Sequence, residues 1–277
     1  MCYSRLIMKL LNGRELADFI KERQAGQVRS LRQANAIVPR LAIIRTNPDP
    51  VVDSYMKLKQ GYGEDIGIEV DVHTIDQKDA LKTIEELNHD DAVHGIIVQI
   101  PLPDPSQTNE ILNTVTPNKD VDGLASVTEF DPATPMAINW LLTGYNIDLP
   151  SKKILIIGQG RLVGTPLAKM WRASGLNITT ADRHTQDINS LTLETDIIVC
   201  ATGVPGLITK DMIKDDAIIV DAGVATDKNG LIGDVAPDVR EMPNITITPD
   251  KGGVGPLTVS ALFENVIRSA SKFAKQA

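Results

Sequence analysis

Lys152–Gly175 reads K-K-I-L-I-I-G-Q-G-R-L-V-G-T-P-L-A-K-M-W-R-A-S-G. Ile154–Ile157 is an unbroken β-branched and leucine run, the composition of a strand buried on both faces. It ends at Gly158-Gln159-Gly160, and a helical pattern follows in which Leu162, Val163, Leu167, Met170 and Trp171 recur three and four apart. Strand, glycine turn, helix is the context in which a glycine pattern carries meaning. Gly158 is expected to allow the tight turn and Gly160 to let backbone approach a pyrophosphate. Gly164 is expected to let the helix pack closely on the strand, with the free N–H groups of its first turn facing the anion. The spacing, G-x-G-x-x-x-G, is one residue longer than the NAD fingerprint. Asn177–Ala181 reads as the next strand, and Asp182 ends it, about where an acidic residue accepts the adenosine ribose hydroxyl, roughly 20 residues on. The plainer alternative is a buried βαβ unit with a surface aspartate and no ligand.

Further strands are predicted near 153–157, 177–181, 197–201, 217–221 and 245–248, so the sheet continues as a dinucleotide-binding domain would. Upstream, the pattern predicts a helix over Asn12–Arg32, a strand over Pro39–Thr46 and a helix from Val51 to Asp65. A strand at Ile68–Ile75 and a helix at Ala80–Leu87 come next, then a strand at His94–Ile100 and a helix at Thr108–Val115. This alternation is an α/β layer domain without a glycine-rich phosphate loop. A crossing helix, Thr134–Tyr145, joins the two. Gly252-Gly253-Val254-Gly255-Pro256 then opens a last helix, Leu257–Lys275, long enough to reach back to the first domain. The expected division is a first domain of residues 1–131, completed by 257–277, and a parallel-sheet, Rossmann-like domain of 132–256.

Composition narrows the class. The chain has 277 residues, enough for two domains of ordinary size, and its 42% hydrophobic content indicates a packed protein. A formal net charge of −8 argues against nucleic acid or anionic membrane as the main partner. Cys2 and Cys200 provide neither a disulfide framework nor a CxxC pair, which points to a reducing cytoplasm. No apolar run approaches the ~18–20 residues that span a bilayer. Met1–Ile7 lacks the features of a signal peptide, and Met8 is an alternative start, since patterned sequence begins at Lys9.

Four stretches could carry chemistry. Tyr55 and Lys59, four apart, share one helix face and could present a phenol and an ammonium to a cleft, although that spacing is also common on helix surfaces. Gln99 interrupts an apolar strand just before Pro101-Leu102-Pro103 and needs either a hydrogen-bond partner or solvent at the strand end. Lys119-Asp120-Val121-Asp122-Gly123 puts two carboxylates on one turn, which an Asx-type turn would also explain. Glycines as dense as those of Lys251–Thr258 bring backbone close to a ligand or another segment. The four histidines are dispersed, and no metal site is expected.

Together these stretches resemble the bifunctional methylenetetrahydrofolate dehydrogenase/cyclohydrolase family, in order and over almost the whole chain. The strings V-Q-I-P-L-P, K-D-V-D-G and G-G-V-G-P-L-T carry the resemblance, with Tyr55-x-x-x-Lys59, Ala133-Thr134-Pro135 and Val163-Gly164-x-Pro166. The resemblance implies an enzyme of one-carbon folate metabolism, the supply line of purine biosynthesis. It oxidises 5,10-methylenetetrahydrofolate with NADP or NAD and hydrolyses the methenyl product to 10-formyltetrahydrofolate. It also implies Lys59 as the catalytic lysine, Gln99 tuning its protonation, Tyr55 over the reacting ring and Asp122 on the pterin. Pro101 and the loop of Gly252, Gly253, Gly255 and Pro256 line the folate side, the loop near the nicotinamide. The resemblance further implies that Gly158, Gln159, Gly160, Val163, Gly164, Asp182, Arg183 and Val224 hold the dinucleotide and that the enzyme is a cytoplasmic homodimer.

The chain departs from the family at several points. Gln159 stands where the family usually has the arginine that holds the NADP 2′-phosphate, and Asp182 where it often has histidine. Arg183 and His184 follow and partly offset that carboxylate. Val52 replaces a serine, Lys251 a proline, and the segment after Gly123 is short. A relaxed or NAD-leaning enzyme is the expectation. Two other readings compete: a dehydrogenase of another small substrate, which needs no Tyr55/Lys59/Gln99/Asp122 set, and a non-catalytic dinucleotide-binding regulator.

Overall fold

The computed structural model describes residues 8–48, 50–227 and 230–275; Cys2 lies outside them. The chain divides into two compact units, one of Asp18–Ala133 with Val259–Ala277, the other of Met1–Ala17 with Thr134–Thr258. The long helices Gly13–Asn35 and Val254–Phe273 each begin in the second of these and continue into the first.

The unit containing Asp18–Ala133 is built on three parallel strands in the order Glu69–Thr74, Arg40–Arg45, Gly95–Val98. Leu41–Ile44 of the central strand and all of Gly95–Val98 are buried, as continuous apolar runs in a covered parallel sheet should be. Glu69–Thr74 is the edge, and its alternation leaves Glu69, Asp71 and Thr74 exposed. Ala42, Ile44, Ile96 and Val98 pack one face of the sheet against Ile84 and Leu87 of the helix Ala80–Asn88 and Ile111 and Leu112 of Thr108–Thr114. Each fully buried Ile or Leu contributes about 1.5–3 kcal/mol.

Beyond Gly95–Val98 the chain adds a short strand-like stretch. Ile96 forms a parallel bridge with Asp120, and its N–H donates to the Lys119 carbonyl at 2.8 Å. A Cβ at Gly95 would come within 2.8 Å of Val121, so glycine admits this close pairing. From the C-terminal helix, Asn265 Nδ2 donates to the carbonyls of Val121 and Asp131, both at 2.9 Å, and Ser269 Oγ to that of Asn118, also at 2.9 Å. Asn265 is 0% exposed. The helix therefore clamps both ends of the loop that carries Asp122.

The other unit holds a six-stranded, wholly parallel sheet in the order Lys9–Leu10, Thr246–Ile247, Ile218–Asp221, Ile197–Cys200, Ile154–Ile157, Ile178–Ala181, and a separate antiparallel pair, Ala225–Asp227 with Gly230–Ile232. The first of these differs from the sequence expectation. Residues up to 131 were assigned to the first domain, whereas Lys9–Leu10 pairs with Thr246–Ile247. A two-residue strand has too little periodicity to be read locally; it forms because an edge was open to it. The helix after the glycine turn also begins later than its pattern suggests, at Gly164, leaving Leu162 and Val163 in the turn. The last helix begins earlier, at Val254, so Gly255 and Pro256 lie in its first turn, where proline's missing N–H costs nothing.

Replacing Asn265 with alanine removes two buried hydrogen bonds and strands two carbonyl oxygens. The expected cost is about 2–4 kcal/mol, read as a lower denaturation midpoint. An unchanged midpoint would show that water replaces the amide at no cost.

Candidate active site

The register fixes where loops emerge in the three-stranded sheet. Ile44 pairs with Val98 and Arg45 with Thr74, so Thr46, Ile75 and Gln99 leave from one edge. The helix Pro50–Ile66 follows the central strand and carries Tyr55 and Lys59 one turn apart. Lys59 Nζ donates to Gln99 Oε1 at 3.1 Å, and the Gln99 amide donates to the Ile100 carbonyl at 3.2 Å. The glutamine thus has its partners inside the protein. Burial lowers the pKa of Lys59, and the Asp122 carboxylate opposes that shift. Burial likewise raises Asp122, against the pull of Lys59 and with a further push from Asp120. The two groups share one electrostatic field, each disfavoured alone and each favouring the other's charge. Tyr55 is part-buried, and burial raises its phenol.

The K-D-V-D-G string divides its labour. Lys119 is only 2% exposed. Its ammonium donates to the carbonyls of Leu87, Asn88 and Asp90 at 3.0, 2.9 and 2.8 Å, capping the end of the helix Ala80–Asn88. Asp120 accepts from the N–H groups of Ala125 at 3.0 Å and Leu124 at 3.4 Å, closing its own turn. That is the Asx-turn alternative, and it holds for Asp120. Asp122 instead lies in the electrostatic field of Lys59. Pro101 follows a cis Ile100–Pro101 bond at the end of the Gln99 strand.

In the six-stranded sheet, Ile157 lies beside Ala181 and Cys200, and Cys200 beside Asp221. Gly158, Asp182, Thr202 and Val224 consequently leave from one carboxyl edge. Ile154–Ile157 connects to the strand on one side of it, and the chain then crosses to the other side, which makes this a switch point where open α/β sheets bind ligands. Gly158 has φ +94°, the left-handed region that favours glycine, and a Cβ on Gly164 would overlap the Gly158 carbonyl. Gly164 therefore admits the turn itself as well as the approach of helix to strand. A Cβ on Gly160 would meet nothing within 4 Å, so open space lies over the turn at the helix N-terminus. This cradle suits a dinucleotide pyrophosphate.

Gln159 Nε2 donates to the Gly158 carbonyl at 3.1 Å, so its side chain lies along the turn. Val163 precedes the helix. Asp182 accepts from the His184 N–H at 2.9 Å, and this bond leads the causes that hold its carboxyl below the usual range. Arg183 Nε donates to His184 Nε2 at 3.2 Å, and all three side chains are exposed.

Gly252 has φ +87°, its carbonyl accepts from the Arg14 N–H at 2.9 Å, and a Cβ on Gly13 would overlap the Gly253 carbonyl. Gly253 is buried, Pro256 part-buried, and a Cβ on Gly255 would meet nothing within 4 Å. Sequence reasoning missed the supports of these loops. Asn265 and Ser269 are buried polar residues four apart on an otherwise apolar helix face, a legible signal. Arg240 has none: its guanidinium donates to Asp221 at 3.1 Å and Asp250 at 2.9 Å, partners brought together by the fold alone.

Comparison with known proteins covers both units. Residues 11–122 match the catalytic domain of tetrahydrofolate dehydrogenase/cyclohydrolase, and residues 132–274 match its NAD(P)-binding domain. The bifunctional protein FolD of Sulfurovum is 35% identical over 96% of this chain and 99% of its own. The solved structure of FolD from Campylobacter jejuni superposes with a TM-score of 0.90 at 36% identity, over 96% of this chain and 99% of that one. The Trypanosoma brucei enzyme, solved with NADP and an inhibitor, gives 0.89 at 26% identity over 96% and 98%.

The mutual field of Lys59 and Asp122 has a measurable sign. Asp122→Asn removes the charge that raises the Lys59 pKa, so the ammonium should lose its proton at lower pH than in the unaltered chain. Nitrogen NMR of labelled lysine side chains follows that titration; an unmoved or upward-shifted Lys59 would mean that the two groups do not interact.

Proposed function

The chain belongs to the tetrahydrofolate dehydrogenase/cyclohydrolase family, and from that premise we propose how its residues serve the two reactions. It is an NAD(P)-dependent methylenetetrahydrofolate dehydrogenase and methenyltetrahydrofolate cyclohydrolase of one-carbon metabolism. A dehydrogenase of another substrate and a non-catalytic regulator are set aside, because the matches run through both units.

On our reading the unit of Asp18–Ala133 with Val259–Ala277 supplies the folate and catalytic side, and the unit of Met1–Ala17 with Thr134–Thr258 the dinucleotide side. The nicotinamide, when bound, accepts the hydride that leaves the methylene bridge. Gly158, Gln159, Gly160, Val163 and Gly164 would hold its pyrophosphate, Asp182 and Arg183 the adenosine ribose, and Val224 the far end. Open space over Gly160 and the helix N-terminus beside it support this assignment.

The hydrolytic half rests on Lys59. Water attacks the carbon of the methenyl bridge and must lose a proton as its oxygen bonds to that carbon. An amine whose pKa is lowered by burial accepts that proton nearer neutrality than an ordinary lysine. Protonated, Lys59 returns a proton to the ring nitrogen as its bond to the bridge carbon breaks, the new hydroxyl releases its own proton to solvent as it becomes the carbonyl, and the formyl group stays on the other nitrogen. Gln99 holds the amine in one orientation, and the 3.1 Å hydrogen bond is the observation that carries this reading. Asp122 binds the pterin's amino and ring N–H groups while steadying the ammonium. Tyr55 lies over the reacting ring, and Pro101, Gly252, Gly253, Gly255 and Pro256 complete the folate side. Two short-lived states of one substrate are thereby handled by one lysine. The enzyme acts in the cytoplasm as a homodimer, without nucleic-acid or membrane partners; among the described residues no helix is long and apolar enough to cross a membrane.

The cofactor preference follows from charge. Gln159 supplies no cation for a 2′-phosphate, and the exposed Asp182 carboxylate, kept ionised by its own turn, repels one. We expect kcat/KM with NAD+ to equal or exceed that with NADP+, and Gln159→Arg to move the ratio toward NADP+. A strong NADP+ preference in the unaltered enzyme would show that Arg161, Arg183 or His184 neutralises the phosphate.

Lys59→Met should fold and bind dinucleotide, yet lose methenyl hydrolysis by about two to four orders of magnitude, the scale of general acid–base help. Dehydrogenase turnover should fall less, because hydride transfer itself moves no proton. Methenyl absorbance followed in both proteins decides the point, and near-equal hydrolysis rates would remove Lys59 from the chemistry.

A further inference from the structure

The strand order locates the two halves of a bound dinucleotide. Its pyrophosphate belongs at the turn after Ile154–Ile157 and its adenosine ribose at Asp182, after the edge strand on one side. The nicotinamide half must therefore extend the other way, over the loops that follow Ile197–Cys200 and Ile218–Asp221. These loops carry two exposed apolar side chains, Val204 (51% exposed) and Val224 (58%).

One buried side chain joins the two loops. Asp234 is 0% exposed. Its Oδ2 accepts from the Thr202 N–H at 2.6 Å and from the Thr202 hydroxyl at 2.9 Å. Thr202 Oγ1 in turn accepts from the Val204 N–H at 3.1 Å. The other carboxylate oxygen, Oδ1, has no hydrogen-bond partner and lies against Gly223, where a Cβ would overlap it. Asp234 is itself held by Asp221, whose Oδ1 accepts from the Asp234 N–H at 3.0 Å and the Gly223 N–H at 3.2 Å. Arg240 neutralises Asp221, but among the described residues no cation pairs with Asp234. A buried carboxylate with no cation beside it is costly even when one of its oxygens is hydrogen-bonded, and a purely structural latch between Thr202 and Gly223 needs no charge.

We propose that Asp234 is a positioning residue for the nicotinamide half of the dinucleotide, acting through Thr202 to set the Val204 loop against the Gly223–Val224 loop. The assignment rests on the dinucleotide reading of this sheet edge and adds residues to which neither the glycine turn nor the folate motifs point.

Calorimetry on the whole enzyme tests it with NAD+ and NADP+ set against their fragments, ADP-ribose and 2′-phospho-ADP-ribose, which lack nicotinamide. Asp234→Asn and Thr202→Val should weaken the intact dinucleotides by about tenfold, the value of one good hydrogen bond, and each fragment by less than about twofold. Thr202→Ser keeps the hydroxyl and should bind like the unaltered enzyme. If Asp234→Asn does not fold, Thr202→Val decides, since it leaves Asp234 and Asp221 in place. Equal losses on dinucleotide and fragment, or no loss on either, would overturn the proposal. An unaltered enzyme that bound neither dinucleotide nor fragment would overturn the dinucleotide reading along with it.

Discussion

Both main sheets of this chain are wholly parallel, and a parallel strand reaches its neighbour only through a crossover. Every strand of a sheet therefore ends on the same side, and the loops that follow collect at one edge. Gln99 and the segment delivering Asp122 meet Lys59 at one such edge, and Gly158, Asp182, Thr202 and Val224 share the other. With both faces of each sheet covered, the carboxyl edge is where backbone N–H groups and polar side chains stay within reach of a ligand.

The folate-side chemistry then depends on how much charge that edge tolerates. Burial shifts Lys59 toward its neutral form, and the Asp122 carboxylate resists that shift. Neither effect alone would suit an amine that, in the role proposed for it, both takes and returns a proton. The balance is held by groups engaged with backbone: Lys119 on three carbonyls, Asp120 on its own turn, Asn265 across the loop ends. Most of the polar residues in K-D-V-D-G and the last helix hold geometry so that one carboxylate can face one amine.

The chain's departures from the family pattern fall on both sides: Gln159 and Asp182 in the six-stranded unit's edge loops, and Val52, Lys251 and the short segment after Gly123 in the stretches that carry the folate motifs. Gln159 carries no charge and Asp182 presents an exposed carboxylate, while Lys59, Gln99 and Asp122 keep the family strings. Recognition of the cofactor can drift through exposed positions, whereas Lys59 and Asp122 shift each other's protonation and cannot change independently.

Local sequence was enough for the element order, because Ile154–Ile157, Leu41–Ile44 and Ile197–Cys200 are apolar runs long enough to be read without their neighbours. It marked Tyr55, Lys59, Gln99 and Asp122 through the family strings, and of these the fold joins Lys59 to Gln99 by a hydrogen bond and sets Asp122 in the field of Lys59. It could not show Lys9–Leu10 as a strand, since two residues carry no period and the pairing edge belongs to residues more than two hundred positions away. Nor could it tell the two aspartates of one turn apart. Asp120 and Asp122 are the same residue type in the same string, and only the pairing of Ile96 with Asp120 turns one carboxylate inward to its own backbone and leaves the other to Lys59. The Asp221–Arg240–Asp250 and Asp234–Thr202 contacts are tertiary in the same sense. Hydrophobic periodicity is a property of neighbours in the chain, whereas the partner of a buried charge is chosen by whatever the fold brings within about 3 Å.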